Sequence, residues 1–457
     1  MGSTLYKGTS AVGAFGTPIR QKRARTAVLR GGLVRGTVCG KVPPAVPKRS
    51  PLLPIFLIVL VDIFGLTMII PLLSIYSEHF GATPLEATAL VSVYALCQLV
   101  SAPLLGKASD RFGRKPLLLA SQVGTFLGFL LLARASALWM VYLSRVIDGA
   151  TAGNITLAQA YISDNTEAKD RTKSFALIGI AFGLGFFVGP FLTGYLVQHG
   201  LSAPIYAASG MSLASILCTT FLLPRARPAL VEHGGDVGPG GQRLAVFEWK
   251  AYAPYFKRPV LSGLLAQFFF YALCFSTFTS GFALFAERRF TWQGHAVTPR
   301  EISYLLGYVG FLGIILQGFL IGRLVKRFGE SALVSAGFIS LVVGYVILGP
   351  CRDIPTLILV STISSFGNGV LRPTLSGLVS QSAGPAEQGV VLGLNQALNS
   401  VAQILAPILG GVLIEHAQLT LWAWVAAAAA LVGFLLARWG SALAAHPVQD
   451  GAGTPTA

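Results

Sequence analysis

The hydrophobic positions of this 457-residue chain fall into long unbroken runs rather than into alternating or helical stripes. Runs over 52–73, 117–132, 175–197 and 419–436 approach or exceed the roughly 20 residues an α-helix needs to cross a bilayer. A membrane β-barrel would show alternating segments of about ten residues, so the runs predict helices. Apolar length, loop charge and Gly/Pro punctuation place spans at 52–77, 86–108, 116–134, 137–163, 172–198 and 203–223. A second set follows at 259–286, 300–325, 331–350, 354–381, 388–415 and 419–440. The prediction is an all-α polytopic membrane protein of twelve transmembrane helices, and an even number of spans puts both chain ends on one side.

The second six spans repeat the first. A shift of 216 superposes Gly106, Arg111, Phe112 and Gly113 on Gly322, Arg327, Phe328 and Gly329, and a shift of 217 superposes Ser163, Pro190 and Gly194 on Ser380, Pro407 and Gly411. Two pseudo-symmetric six-helix bundles are therefore expected, at 51–223 and 259–440. Residues 224–258, Gly-rich with basic flanks, read as a linker, and the aromatic segment 244–255 as either a short surface helix or a plain loop. Residues 441–457 read as a tail. Residues 1–50 read as a disordered tail, an organellar transit peptide or a start codon placed too far upstream.

Composition sharpens this picture. Hydrophobic residues make up 53% of the chain and charged residues 11%, against about 25% charged in a soluble domain, too few to cover a water-facing surface. The net charge of +16 would suggest nucleic acid, but its distribution excludes that partner. Ten of the 34 Lys and Arg lie in the first fifty residues, which hold no acid, and alternate sorting of the loops puts 27 of the 34 on the side of the N-terminus. That asymmetry places both termini and the linker in the cytoplasm, with the bilayer as the surrounding partner. The five cysteines are scattered, with no disulfide framework or metal spacing. No Walker loop, Ser/His/Asp set or metal-ligand cluster occurs, so neither an enzyme nor a bound cofactor or metal is expected, and an ion gradient is the expected energy source.

Between the second and third spans, Gly106, Asp110, Arg111, Gly113, Arg114 and Lys115 form a short turn with the pattern G-x-x-x-D-R-x-G-R-K. Glycines permit close backbone approach, Asp110 can hold an Arg or a helix N-terminus, and the basic cluster anchors the turn to anionic lipid. The pattern resembles the signature loop of the major facilitator superfamily, which implies a substrate site between parallel halves near mid-membrane and a latch function for this turn. The fifth span carries Gly183, Gly185, Gly189, Pro190 and Gly194, small residues for tight packing and a bend. It resembles the glycine-rich fifth-helix motif of drug/proton antiporters. Residues 62–73, 94–116 and 285–292 resemble the tetracycline/proton antiporter family, and the likeness covers most of 52–440. Where that family carries acids in its third and ninth helices, this chain has Gly128 and Leu341.

Polar residues inside spans are the candidates for chemistry, because a charged side chain at the bilayer centre costs about 2.5–3.5 kcal/mol on insertion scales. Asp62 in the first span and Asp148 in the fourth are expected to carry protons or touch substrate. Arg145, Asp148 and Gln159 fall on one helix face at about 100° per residue, which also allows a purely structural Arg145–Asp148 pair. Asn395, Gln396, Asn399 and Gln403 form a stripe in the eleventh span. Arg372 in the tenth can hold an anion, neutralise Asp62 or Asp148, or snorkel to the interface. Gln98, Gln267 and Gln317 are further cavity candidates. The resulting expectation is a monomeric, proton-coupled exporter of small organic molecules. A carrier of a native sugar or organic anion, and a non-transporting membrane sensor, stand as alternatives.

Overall fold

A computed structural model describes residues 52–165, 171–223, 249–383 and 387–445. The expectations for the N-terminal tail, most of the linker and the last residues of the chain lie outside the described residues. The remainder is almost entirely helical: α1 (Leu52–Ile69), α2 (Leu73–Glu78), α3 (Pro84–Phe112), α4 (Arg114–Ala133), α5 (Leu138–Ala150), α6 (Asn154–Asn165), α7 (Arg171–Leu196) and α8 (Ala203–Leu222) build the first half. After α9 (Trp249–Phe256), which coincides with part of the expected surface helix, come α10 (Pro259–Arg289), α11 (Pro299–Ile315), α12 (Ile321–Phe328), α13 (Glu330–Leu348), α14 (Ile354–Gln381), α15 (Gln388–Glu415) and α16 (Leu419–Ala445).

Ten helices among the described residues are long and apolar enough to cross a membrane. The expected first and fourth spans are not among them because each is divided. The first breaks at 70–72, where Pro71 lacks an N–H and its ring clashes with the preceding turn. The fourth breaks at 151–153, where Gly153 donates its N–H to the Ser121 hydroxyl (3.0 Å) instead of continuing the helix. The eighth span continues from α11 to α12 through a π-helical stretch at Leu316–Leu320. One feature departs from the all-α expectation: Thr291–Trp292 and His295–Ala296 pair as a small hairpin. Gln293 and Gly294 both take positive φ at its tip, as a two-residue type I′ connection requires.

The internal repeat is visible in backbone geometry. Gly113 and Gly329 close equivalent helices with φ of +97° and +77°, a region in which a side chain is strained. Gly194 packs α7 against the start of α11, where an added Cβ would stand 3.2 Å from the Arg300 carbonyl oxygen. Its counterpart Gly411 packs α15 against the start of α3, 3.2 Å from the Pro84 carbonyl oxygen. Both of those partner helices begin with Thr-Pro-x-Glu. The Thr83 N–H donates to Glu86 and the Thr298 N–H to Glu301, each at 2.8 Å, in reciprocal caps.

Large apolar side chains such as Leu104, Phe221, Leu359 and Leu435 are exposed on the helix exteriors, as a lipid-facing surface requires. The interiors hold separate apolar clusters, one around Ile58, Ile63 and Tyr161, another around Phe282, Phe285 and Trp422. Gly185 and Gly189 seat α7 on α1: a Cβ at Gly189 would strike Thr67, whose hydroxyl donates to the Gly185 carbonyl (2.8 Å). Between halves, Gly310 of α11 lies so close to α7 that a Cβ would strike the Phe186 carbonyl oxygen. Gly310→Ala is expected to lower stability by about 1–3 kcal/mol, the usual cost of overpacking. The check is the thermal unfolding midpoint in detergent, which an unimportant contact would leave unchanged.

Candidate functional site

The first half gathers a polar cluster from five helices. Asp62 of α1 has both carboxyl oxygens buried. Its polar neighbours are Ser215 of α8 and Gln122 of α4, with Asp148 of α5 the nearby charge. Gln122 is fully buried, donates Nε2 to the Ser215 hydroxyl at 2.7 Å, and leaves its own Oε1 without a donor. Asp148 pairs with Arg145 one helical turn away, Nη1 to Oδ2 3.4 Å, both side chains 4% exposed. The second guanidinium nitrogen of Arg145 has no partner, and the group lies 5.7 Å from the Phe129 ring centre. Tyr94 of α3 completes the surroundings of this pair.

Gly128 explains how an acid from the fourth span comes to lie here. A Cβ at Gly128 would stand 3.1 Å from both the Asp148 Cβ and the Ser144 carbonyl oxygen. The missing side chain on α4 is what admits α5, and Asp148 fills the seam where the resemblance implies a third-span acid. At the ninth-span position, Leu341 is fully buried among apolar neighbours, with no comparable substitution.

Other expected members are distributed unevenly. Gln98 donates Nε2 to the Tyr94 hydroxyl (3.3 Å), which ties it to the edge of the cluster. Gln159 is exposed and lies beyond the break at 151–153, so it does not share a continuous face with Arg145 and Asp148. The projection fails because the helix it assumed is interrupted. Asn395 is buried with an unpartnered Oδ1, Gln396 is exposed, and Asn399 and Gln403 are half-buried. The α15 stripe therefore runs along an edge rather than facing one environment. Gln267 is buried and Gln317 exposed.

Arg372 of α14 crosses to the other half, its guanidinium 4.8 Å from the centre of the Phe182 ring of α7. The charged partner of Asp148 is Arg145 and the charged neighbour of Asp62 is Asp148, so Arg372 pairs with neither acid. Tyr271 of α10, not singled out from sequence, lies within electrostatic range of Arg372, and beyond Tyr271 stand Cys274 of α10, Tyr345 of α13 and Asn368 of α14. The Tyr345 hydroxyl and Asn368 Oδ1 are buried as neighbours of each other. Tyr94, Gln122, Ser215, Tyr345 and Asn368 were all missed. Gln122 was findable, as the one amide in the α4 run, whereas tyrosines and serines disappear into an apolar average.

At the end of the molecule that carries the hairpin, the halves are sealed together. Arg288 and Glu78 pair at 2.5 Å, the Leu85 N–H donates to Glu415 (3.2 Å), the Ser92 hydroxyl to the Ile404 carbonyl (2.8 Å) and the Ser74 hydroxyl to the Ser280 carbonyl (3.2 Å). Toward the opposite, basic end, Gly179, Gly318, Gly322 and Gly393 face open space. The Gly106 to Lys115 turn lies at this end. Asp110 pairs with Arg114 (2.6 Å), Lys115 donates to the carbonyls of Thr220 and Leu223, the Arg111 guanidinium lies 5.4 Å from the Phe112 ring centre, and a Cβ added at Gly106 would meet nothing within 4 Å.

Comparison with known proteins agrees with this architecture. The family described as Major Facilitator Superfamily matches residues 55–316 and 290–447. The class B tetracycline resistance protein of Escherichia coli is 32% identical over 80% of this chain and 89% of its own length. Multidrug resistance protein 2 of Bacillus subtilis (strain 168) is 26% identical over 79% of this chain and 89% of its own. A solved peptide transporter, POT, superposes with a TM-score of 0.70 over 88% of this chain and 96% of its own at 14% identity, a likeness of fold alone. Repeat, fold and relatives converge on one assignment: this multi-pass membrane protein is a transporter rather than an enzyme, and it belongs to the major facilitator superfamily and, within it, to the family of the tetracycline resistance proteins.

Proposed function

We propose that the protein exports small amphipathic organic molecules in exchange for protons across a bacterial inner membrane, by rocking two six-helix halves about a site between them. The observation that carries this reading is Asp62, an acid held inside the first span with both carboxyl oxygens buried, the neutral side chains of Ser215 and Gln122 beside it, and another acid, Asp148, as its charged neighbour. Ionised, that group is costly where it sits. Protonated, it becomes a donor, and the orphaned Oε1 of its neighbour Gln122 is an acceptor suited to it. A carboxyl that alternates between this dry setting and water takes up and releases one proton per cycle. The relatives named for tetracycline and multidrug resistance support drugs as the cargo.

The divided segments α1–α2 and α5–α6 complete twelve spans in this reading, and the polar clusters are supplied by one chain, so a monomer suffices. The charge asymmetry puts the basic end in the cytoplasm, with the 224–258 linker and both termini. The form described, sealed at the hairpin end, is then the inward-facing one. In the outward-facing form the Asp110 turn closes against the other half, so Asp110→Asn is expected to slow transport several-fold while folded protein and ligand binding stay near normal. Transport at the parent rate would remove the latch from the account.

The function itself is tested by expressing the chain in a drug-sensitive bacterium and following the accumulation of a drug panel that includes tetracycline. The expected result is lowered accumulation of at least one compound, restored by a protonophore. Accumulation unchanged for every compound would count against export.

A further inference from the structure

We infer that the site between the halves contains an anion-binding subsite centred on Arg372, and that the exported molecules it favours are aromatic acids. The inference rests on the export reading only for the site being a transport site. Away from the span ends, the cations are Arg145 and Arg372. Arg145 has Asp148, but no carboxylate among the described residues pairs with Arg372. Asp62 does not serve it, since the charged neighbour of Asp62 is Asp148. A guanidinium kept at membrane depth with no counter-ion of its own is costly, and an arriving carboxylate matches its planar fork of donors.

The walls specify the rest of the ligand. The guanidinium lies over the Phe182 face at 4.8 Å, and one turn along α7 the Phe186 ring meets Phe275 of α10 edge-on with centroids 6.3 Å apart. Phe275 in turn stacks with Tyr271 at 6.0 Å, and Tyr271 lies within electrostatic range of Arg372. Phe182 and Phe186 belong to one half, Arg372, Phe275 and Tyr271 to the other. Aromatic surface from both halves thus brackets one unneutralised cation, an arrangement that accepts a flat ring by stacking and its acid group by a charge-assisted pair.

The test compares acids with their own neutral esters, so that the ring is held constant. Purified full-length protein is titrated with 2-naphthoate, benzoate and salicylate and with the methyl ester of each, following thermal stabilisation, which a ligand of the folded state raises by mass action. The inference predicts that at least one acid acts at a concentration tenfold or more below its ester. Arg372→Gln should erase that preference while the ester titration is unchanged, and Arg372→Lys should keep part of it. Phe182→Leu should weaken acid and ester alike with the preference intact, which provides a second reading if Arg372→Gln folds poorly. Equal titrations of acid and ester in the parent, a preference that survives Arg372→Gln, or no stabilisation by any acid up to millimolar concentration would each overturn the inference. Gradient-driven flux of a neutral or cationic drug without acid preference would remove the subsite and leave the export reading standing. An Arg372-dependent acid preference in a protein that drives no flux would do the opposite.

Discussion

Asp148→Asn is expected to leave little folded protein. The Asp148 carboxylate is the partner of a guanidinium whose side chain is 4% exposed and whose second nitrogen already lacks an acceptor. Removing one member of such a buried pair costs about 3–5 kcal/mol, because the other charge stays behind, and total stability is commonly only about 5–15 kcal/mol. Monodisperse yield in gel filtration, and the thermal midpoint of whatever folds, read the effect. The double substitution Arg145→Met with Asp148→Leu should restore much of the yield, since a buried pair exchanged for apolar side chains is often neutral. A single Asp148→Asn variant as abundant and stable as the parent would show that the pair is not structural, and would move Asp148 to the coupling machinery beside Asp62.

The same substitution at Asp62 should do the reverse. Asp62→Asn keeps size and hydrogen-bonding capacity, removes a carboxyl that has no cationic partner to lose, and cannot titrate. Folded yield and midpoint should match or exceed the parent, ligand binding should persist, and accumulation against a gradient should fall to background. Driven transport at the parent level in Asp62→Asn would take the proton from this residue. Loss of binding together with transport would instead make Asp62 a substrate contact. The contrast between the two aspartates, similar in sequence as lone acids in apolar runs, follows from what surrounds each of them.

That contrast marks what the sequence could and could not convey. Run length, loop charge and the Gly113/Gly329 repeat were legible because each is a local chemical requirement: apolar length to span lipid, cations to stay in water, glycine to take positive φ. The breaks at Pro71 and 151–153 were hidden because a window of hydropathy averages across them. The face drawn through Arg145, Asp148 and Gln159 failed at the second of those breaks. The repeated Thr-Pro-x-Glu caps at Thr83 and Thr298 lay in plain view as a short motif, overlooked beside longer ones. Which half Arg372 faces, and that Gly128 clears the way for Asp148, depend on helix packing between distant segments. Pattern along one helix carries no information about that.

Exchange of protons for substrate through Asp62 can be read out in proteoliposomes loaded with a pH-sensitive dye. With the parent protein, adding a transported drug on one side should move protons in the opposite direction, at a rate that saturates with drug, and Asp62→Asn should bind the drug yet move no protons. Drug flux through the parent with no accompanying proton movement, or the same proton movement in Asp62→Asn, would contradict the account.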